Sequence, residues 1–320
     1  MQDVEGKVAF ITGGSSGIGR GIALAFARAG LEVTITGRRR QHLDESAALF
    51  AAEGLDVHAV QLDVTDPDAV WRVAEETERR FGRVHVLVNN AGIGVAGPIA
   101  QARQGDWDWL IDVNIKGVGH GLQAFLPRIR AHGEGGHIVN TASMGGLLPV
   151  SAGLYCMTKA AVIALSEALH IELAADNIGV SAYCPGPVLS DIGSGVAARP
   201  QRYADTGYAS PDPARVARAR SAPYMGHIEA GERVLAGVRR NDLFILTHPE
   251  FRDGVRERCD ALLNAFPDEP QNEERASAIS FLTSHEVYAH EARRKPPAGM
   301  PKLYAETRPD RHCDGSGHRT

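Results

Sequence analysis

The chain has 320 residues and 34.3 kDa, with 43% hydrophobic and 23% charged residues, an ordinary globular balance that excludes fibrous and wholly disordered classes. Its 34 basic and 39 acidic residues leave a net charge of −5 and a pI near 6.2, so there is no global basic surface for nucleic acid. The length allows two domains of ~150 residues or one large α/β domain with an appendage.

Strands are predicted at Val8–Thr12, Glu32–Thr36, Val57–Leu62, Val84–Asn89, His137–Ala142, Gly179–Cys184 and Leu243–Thr247, with helical spacing between them, as in Gly19–Ala29 and Ala69–Phe81. Apolar strands alternating with helices predict a doubly wound α/β fold, a seven-stranded parallel sheet with helices on both faces. After Thr247 the pattern changes. Phe251, Val255, Cys259, Leu262 and Phe266 fall on one face of an amphipathic helix. An acidic linker, Pro267–Glu274, and a helical candidate, Ala276–Ala289, follow. This divides the chain into an α/β domain (1–250), a helical extension (251–290) and a mobile tail (291–320) rich in Pro, Gly and charge.

Several features point to a bland role. Cys156, Cys184, Cys259 and Cys313 show neither a C-x-x-C pair nor zinc spacing and read as reduced thiols. His312-Cys313 and His318 sit in a Gly/Ser-rich tail without acidic framing, so no metal site is expected. Apolar runs stop at about five residues, against the ~20 that span a membrane. With no signal-peptide pattern, the expectation is a soluble, cytoplasmic protein. Trp107 and Trp109 are expected to pack. Arg38-Arg39-Arg40 is too small a footprint for nucleic acid.

The first sharp signal is Thr12-Gly13-Gly14-Ser15-Ser16-Gly17-Ile18-Gly19, directly after a strand and directly before a helix. A pyrophosphate needs close backbone approach and the N–H-rich positive end of a helix, and glycines at 13, 17 and 19 supply the room. The spacing T-G-x-x-x-G-x-G resembles the short-chain dehydrogenase/reductase family, and further landmarks occur in its order. They are Asp63-Val64, Asn89-Asn90-Ala91-Gly92, Asn114 within Asp-Val-Asn-Ile-Lys-Gly, Ser143, Tyr155-x-x-x-Lys159, Pro185-Gly186 and Ser190. The resemblance covers about residues 5–250 and implies a Rossmann fold and a homodimer or homotetramer acting on a small-molecule substrate. It also implies a cofactor-binding set of Gly13, Ser15, Ser16, Gly17, Ile18, Gly19, Asp63, Val64, Asn90, Ala91, Gly92, Tyr155, Lys159, Pro185, Gly186, Val188 and Ser190.

Hydride transfer at a carbinol carbon requires a proton to leave or reach the oxygen. A free tyrosine, with a pKa of about 10, is too weak a base at neutral pH. Tyr155 and Lys159 are four apart, on one helix face, where the ammonium is expected to lower the phenol pKa. The resemblance makes Tyr155 the acid/base and places Lys159 on the nicotinamide ribose. It puts Ser143 on the substrate oxygen, and Asn114 on a water between Lys159 and solvent. Cys156, a helical neighbour of Tyr155, is expected to pack.

After the second strand the chain reads Thr36-Gly37-Arg38-Arg39, with Gly where an acidic residue would bind the ribose diol and Arg38 ready to meet a 2′-phosphate. NADP is therefore favoured over NAD, although the glycine turn itself carries no basic residue. Residues 191–225 read as a mobile substrate lid in which Tyr203, Tyr208, Tyr224 and Met225 supply aromatic and soft apolar contacts or simply pack the lid. Arg199-Pro200-x-x-Tyr203, Gly207-Tyr208 and the C-terminal extension resemble a bacterial subgroup that includes aryl-ether Cα-dehydrogenases, which tends towards NAD. The expectation is an NADP-preferring oxidoreductase interconverting a bulky, aromatic or polycyclic secondary alcohol and its ketone. A 3-oxoacyl thioester reductase and a nucleotide-sensing regulator on a dehydrogenase frame are the alternatives.

Overall fold

The computed structural model describes residues 1–149, 152–190, 192, 199–210 and 212–294. The strands are β1 (Val8–Ile11), β2 (Glu32–Gly37), β3 (His58–Gln61), β4 (Val86–Asn89), β5 (Gly136–Thr141), β6 (Ile178–Cys184) and β7 (Phe244–Leu246). They form one seven-stranded sheet in the order β3-β2-β1-β4-β5-β6-β7, every pair parallel. The expected Rossmann architecture is therefore observed. The order reverses between β1 and β4, and a doubly wound sheet opens its ligand crevice beyond the carboxyl ends of such a strand pair.

The helices are α1 (Gly17–Arg28), α2 (Arg40–Ala52), α3 (Pro67–Phe81), α4 (Gln104–Ile111), α5 (Gly117–His132), α6 (Met144–Leu147) and α7 (Gly153–Glu172). They continue with α8 (Pro213–Ser221), α9 (His227–Arg240), α10 (Arg252–Leu263), α11 (Glu273–Ala278), α12 (Ser280–Thr283) and α13 (Glu286–Arg293). Local chemistry explains individual boundaries. Helix α3 starts because Asp66 accepts a hydrogen bond from the Ala69 amide and Pro67 pre-sets the first turn, and Gly82 ends it at φ +82°.

Successive residues of β1 face opposite layers. Ala9 and Ile11 join Ile22, Phe26, Val33, Ile35 and Val234 under α1 and α9, whereas Val8 and Phe10 meet Val73, Leu87, Trp109 and Phe125 under α3 to α5. This double coverage is why the strands are apolar on both sides. Helix α7 is the one described helix with the length and composition of a membrane span, yet it buries Leu154, Val162, Ile163 and Leu169 on the sheet.

The carboxyl-terminal region departs from expectation. The amphipathic helix expected over Phe251–Phe266 forms as α10, but only Phe251 and Val255 pack inward, against Leu147 and Val162, while Leu262 and Phe266 are 54% and 74% exposed. Periodicity marked the helix correctly but not where its face ends. The single helix expected over Ala276–Ala289 is split into α11, α12 and α13. Residues 295–320, with Cys313 and most of the expected tail, lie outside the described residues.

Candidate active site

A cleft of about 230 Å³ opens at the carboxyl ends of β1 and β4. Its floor is the glycine turn that feeds α1. A Cβ on Gly19 would lie 2.2 Å from the Gly13 carbonyl oxygen and 2.4 Å from the Asn90 amide nitrogen, so no side chain fits where the turn folds over itself. Asn90 braces that turn: Nδ2 donates to the carbonyls of Thr12 (3.0 Å) and Gly13 (3.3 Å). Thr12, which was read only as part of the motif, receives the amides of Asn90 and Ala91 on its Oγ1 at 2.9 and 3.0 Å. Helix α1 carries no acidic residue in its first turn, so its positive end is unopposed. An open, N–H-rich turn of this kind fits a dinucleotide pyrophosphate.

The adenosine end of the cleft is lined by Gly37, Arg38, Arg39, His42, Asp63 and Val64. A Cβ on Gly37 would stand 2.2 Å from Ser15 Oγ, so any side chain at this position would have to turn the Ser15 hydroxyl aside. Asp63 Oδ1 accepts from the amide and hydroxyl of Thr65, at 3.0 and 2.8 Å, and Oδ2 meets Arg202 at 3.3 Å.

At the other end stand the residues for proton chemistry. A π-helical turn, Asp112–Lys116, interrupts the α4–α5 run and carries Asn114, which is fully buried. Its Nδ2 donates to the Ile93 carbonyl and Thr158 Oγ1, at 3.0 and 3.1 Å, and its Oδ1 accepts the Ile93 amide at 2.9 Å. Lys159 Nζ donates to the Thr141 carbonyl at 2.7 Å and lies 5.8 Å from the Tyr155 ring centre. A Cβ built on Gly92 would be 3.4 Å from both Lys159 Nζ and Asn114 Oδ1, so these groups converge on one glycine at the cleft wall. Ser143 caps α6 by accepting the Gly145 amide at 3.1 Å and also hydrogen-bonds Tyr155.

The acid–base picture corrects one expectation. Burial pushes the Tyr155 phenol above its usual value, against a downward pull from the Ser143 hydrogen bond. The lowering by Lys159 does not dominate, because Lys159 is itself desolvated, held at about 8, and its hydrogen bond points to Thr141. Burial also drives the Cys184 thiol up to about 12, which keeps it inert near neutral pH, and Cys156 is packed in the core as expected.

Most of the expected set lines this cleft: Gly13, Ser15, Ser16, Gly17, Ile18, Gly19, Arg38, Asp63, Val64, Asn90, Ala91, Gly92, Tyr155, Lys159, Pro185 and Ser190. Ser143 and Asn114 stand beside and behind it. Gly186 and Val188 do not reach the lining. Val188 is buried in a bridge to Met225, and Gly186 lies under the His248 ring, a residue that sequence reasoning left without a role. Thr158, also unassigned, links Asn114 to the Tyr155 backbone, its hydroxyl donating to that carbonyl at 2.8 Å. One turn of helix from Tyr155, it was the one missed group with a local signal.

Residues 199–208 of the expected lid are pinned. Arg199 donates to the fully buried Asp106 at 2.7 Å, lies over Trp109 and reaches the Tyr203 carbonyl at 3.1 Å. Burial raises the Asp106 carboxyl, but hydrogen bonds from Thr206, the Arg103 and Gly207 amides and Arg199 hold it below the usual range. Tyr203 bonds Asp112 at 2.8 Å, and Tyr203 and Tyr208 are buried in the core rather than presented to the cleft. Their aromatic surface was spent on α4. Residues 191 and 193–198 of the expected lid lie outside the described residues.

The short chain dehydrogenase family model matches residues 7–201. The chain is a short-chain dehydrogenase/reductase. A C alpha-dehydrogenase from Sphingobium sp. SYK-6 is 35% identical over 269 residues, covering 83% of this chain and 88% of that protein. A short-chain dehydrogenase/reductase from Burkholderia phymatum, solved with NAD, is 33% identical at TM-score 0.76, covering 85% of this chain and 100% of the other. A short-chain dehydrogenase from Sphingobium yanoikuyae, solved with NADPH, is 28% identical at TM-score 0.63, over 84% and 99% of the two chains. This short-chain dehydrogenase/reductase is thus an NAD(P)-dependent oxidoreductase acting on a small molecule.

Proposed function

We propose that the chain interconverts a bulky secondary alcohol, aromatic or polycyclic, and its ketone, with NADP preferred and Tyr155 as the acid/base. The observation that carries the reading is the convergence of Ser143, Tyr155, Lys159 and Asn114 at one end of a cleft whose floor is a glycine turn. The likeness to a C alpha-dehydrogenase supports the alcohol class.

The bound cofactor supplies or accepts the hydride. The chain's residues do the rest. Ser143 donates its one hydroxyl proton to the Tyr155 oxygen before substrate binds, and to the substrate oxygen once substrate is in place. In oxidation Tyr155 takes the hydroxyl proton; in reduction it returns one. Lys159, held at about 8, is still largely cationic at neutral pH and favours the phenolate once the substrate is in place. Asn114, behind Gly92, keeps the Lys159 end of the cleft polar and connects it to the backbone of Ile93.

NADP preference is supported by Gly37, which supplies no carboxylate for a ribose diol, and by Arg38 and Arg39 at the adenosine end. Initial rates with NADPH and NADH across a panel of aryl ketones and 3-oxoacyl thioesters test the proposal. Faster turnover of aryl ketones with NADPH is expected. A strong NADH preference overturns the cofactor reading, and selective thioester reduction overturns the substrate reading.

A further inference from the structure

The loop after β6 is held by a residue far along the chain. His248, directly after Thr247, lays its imidazole against Gly186: a Cβ there would sit 2.6, 2.8 and 2.9 Å from three ring atoms. The Gly186 amide donates to His248 Nδ1 at 3.1 Å, and the Thr247 hydroxyl lies 2.8 Å from the same nitrogen. Because Nδ1 accepts, the ring proton is on Nε2, which donates to the Pro187 carbonyl at 3.0 Å. One neutral imidazole therefore reads both a donor and an acceptor of adjacent loop residues.

The clamp is itself supported from behind. Phe251 meets the His248 ring edge-on, with centroids 6.2 Å apart, and packs with Val255 and Leu147 on the buried cluster that includes Met144 and Val162. Gly254 of α10 lies against Leu148, and the Met144 amide of α6 donates to the Pro185 carbonyl at 2.9 Å. The start of the C-terminal extension thus braces the Ser143-capped helix and the Pro185–Pro187 loop together. Met225 adds a second tie, its amide donating to the Pro187 carbonyl at 3.3 Å. From this loop Pro185 and Ser190 reach the cleft.

We propose that His248 is a positioning residue for the nicotinamide half of the cofactor, and that the extension's first function is to hold it. His248 is not in the cleft lining and acts only through the backbone of residues 185–187. The inference requires a nicotinamide cofactor but neither NADP preference nor a particular alcohol.

The test compares full-length wild type with His248→Phe, which keeps the ring but no hydrogen bonds, and His248→Asn, which keeps an acceptor near the Nδ1 position. Dissociation constants are measured for NADH and NADPH, and for ADP-ribose and 2′-phospho-ADP-ribose, which lack nicotinamide. For His248→Phe the reduced dinucleotides are expected to bind about tenfold more weakly while the ADP-ribose forms change less than about twofold. His248→Asn recovers part of the loss. Gly186→Ala, which pushes the ring away without removing its nitrogens, gives the same split and serves if His248→Phe fails to fold. Equal weakening of both ligand types, or no change in either, overturns the proposal. Because these are binding measurements without substrate, a wrong alcohol assignment leaves their outcome untouched.

Discussion

The cleft and the C-terminal extension hold their side chains by opposite means. In the cleft, polar groups are buried and nearly every one is tied: Asn114 makes three hydrogen bonds through its amide, Lys159 bonds Thr141, and Asn90 and Thr12 fasten the glycine turn. In the extension no residue of α10 to α13 is fully buried, and Leu263, Phe266, Phe281 and Leu282 are each more than 60% exposed. Burying a polar group is costly unless a partner waits for it, so chemistry in a dry cleft imposes many simultaneous requirements on the sequence. The extension meets such requirements at its first residues, around Phe251, and at its far end, where Tyr288 bonds Glu167 and Arg294 meets Asp242. The lesson is that functional demand on this chain is concentrated where burial and polarity coincide.

Three variants sharpen or break that contrast. The largest stability effect is expected at the buried pair that pins the segment after the cleft. Arg199→Met strands Asp106, whose side chain is wholly inaccessible, and should cost roughly 3–5 kcal/mol in denaturant unfolding. A loss below about 1 kcal/mol would show that the pair is incidental.

Lys159→Met should act with the opposite sign. Burial lowers Lys159 from 10.5 to about 8, so below pH 8 the folded state bears the cost of a charge that the unfolded chain carries in water. Removing it should stabilise the protein, on the order of 3 kcal/mol before loss of the Thr141 bond, while abolishing turnover. Between pH 8 and 10.5 the unfolded chain binds more protons, so wild-type stability rises and the advantage of the variant shrinks. A stability difference that does not vary with pH contradicts the burial account. The smallest effect belongs to the extension. Phe266→Ser with Phe281→Ser should move stability by less than about 0.5 kcal/mol per site, since both rings are already in water.

How much of this was legible in the sequence follows the same division. The β1–turn–α1 unit was readable because its requirements are local: apolar strand, glycines at fixed spacing, helix. Tyr155 and Lys159 were readable because they sit four apart on one helix. The parallel sheet followed from strand–helix alternation, but its strand order did not. The partnerships that were missed join residues distant in sequence, such as Arg199 with Asp106 and His248 with Gly186, 62 positions away, and they leave no periodic trace. Tyr203 and Tyr208 resembled substrate contacts because an aromatic residue in an irregular segment reads the same whether it faces a cleft or a neighbouring helix. The exposed end of α10 failed differently: periodicity shows that a face is apolar, not that anything covers it.

The central claim is that Tyr155 moves the proton that hydride transfer requires. Single-turnover oxidation of bound NADPH by an aryl ketone, compared in wild type and Tyr155→Phe, tests it most directly. The account predicts a rate lower by roughly 10³-fold in the variant, with the dissociation constant of NADPH unchanged within about twofold. A variant that oxidises the cofactor at near wild-type rate would contradict it.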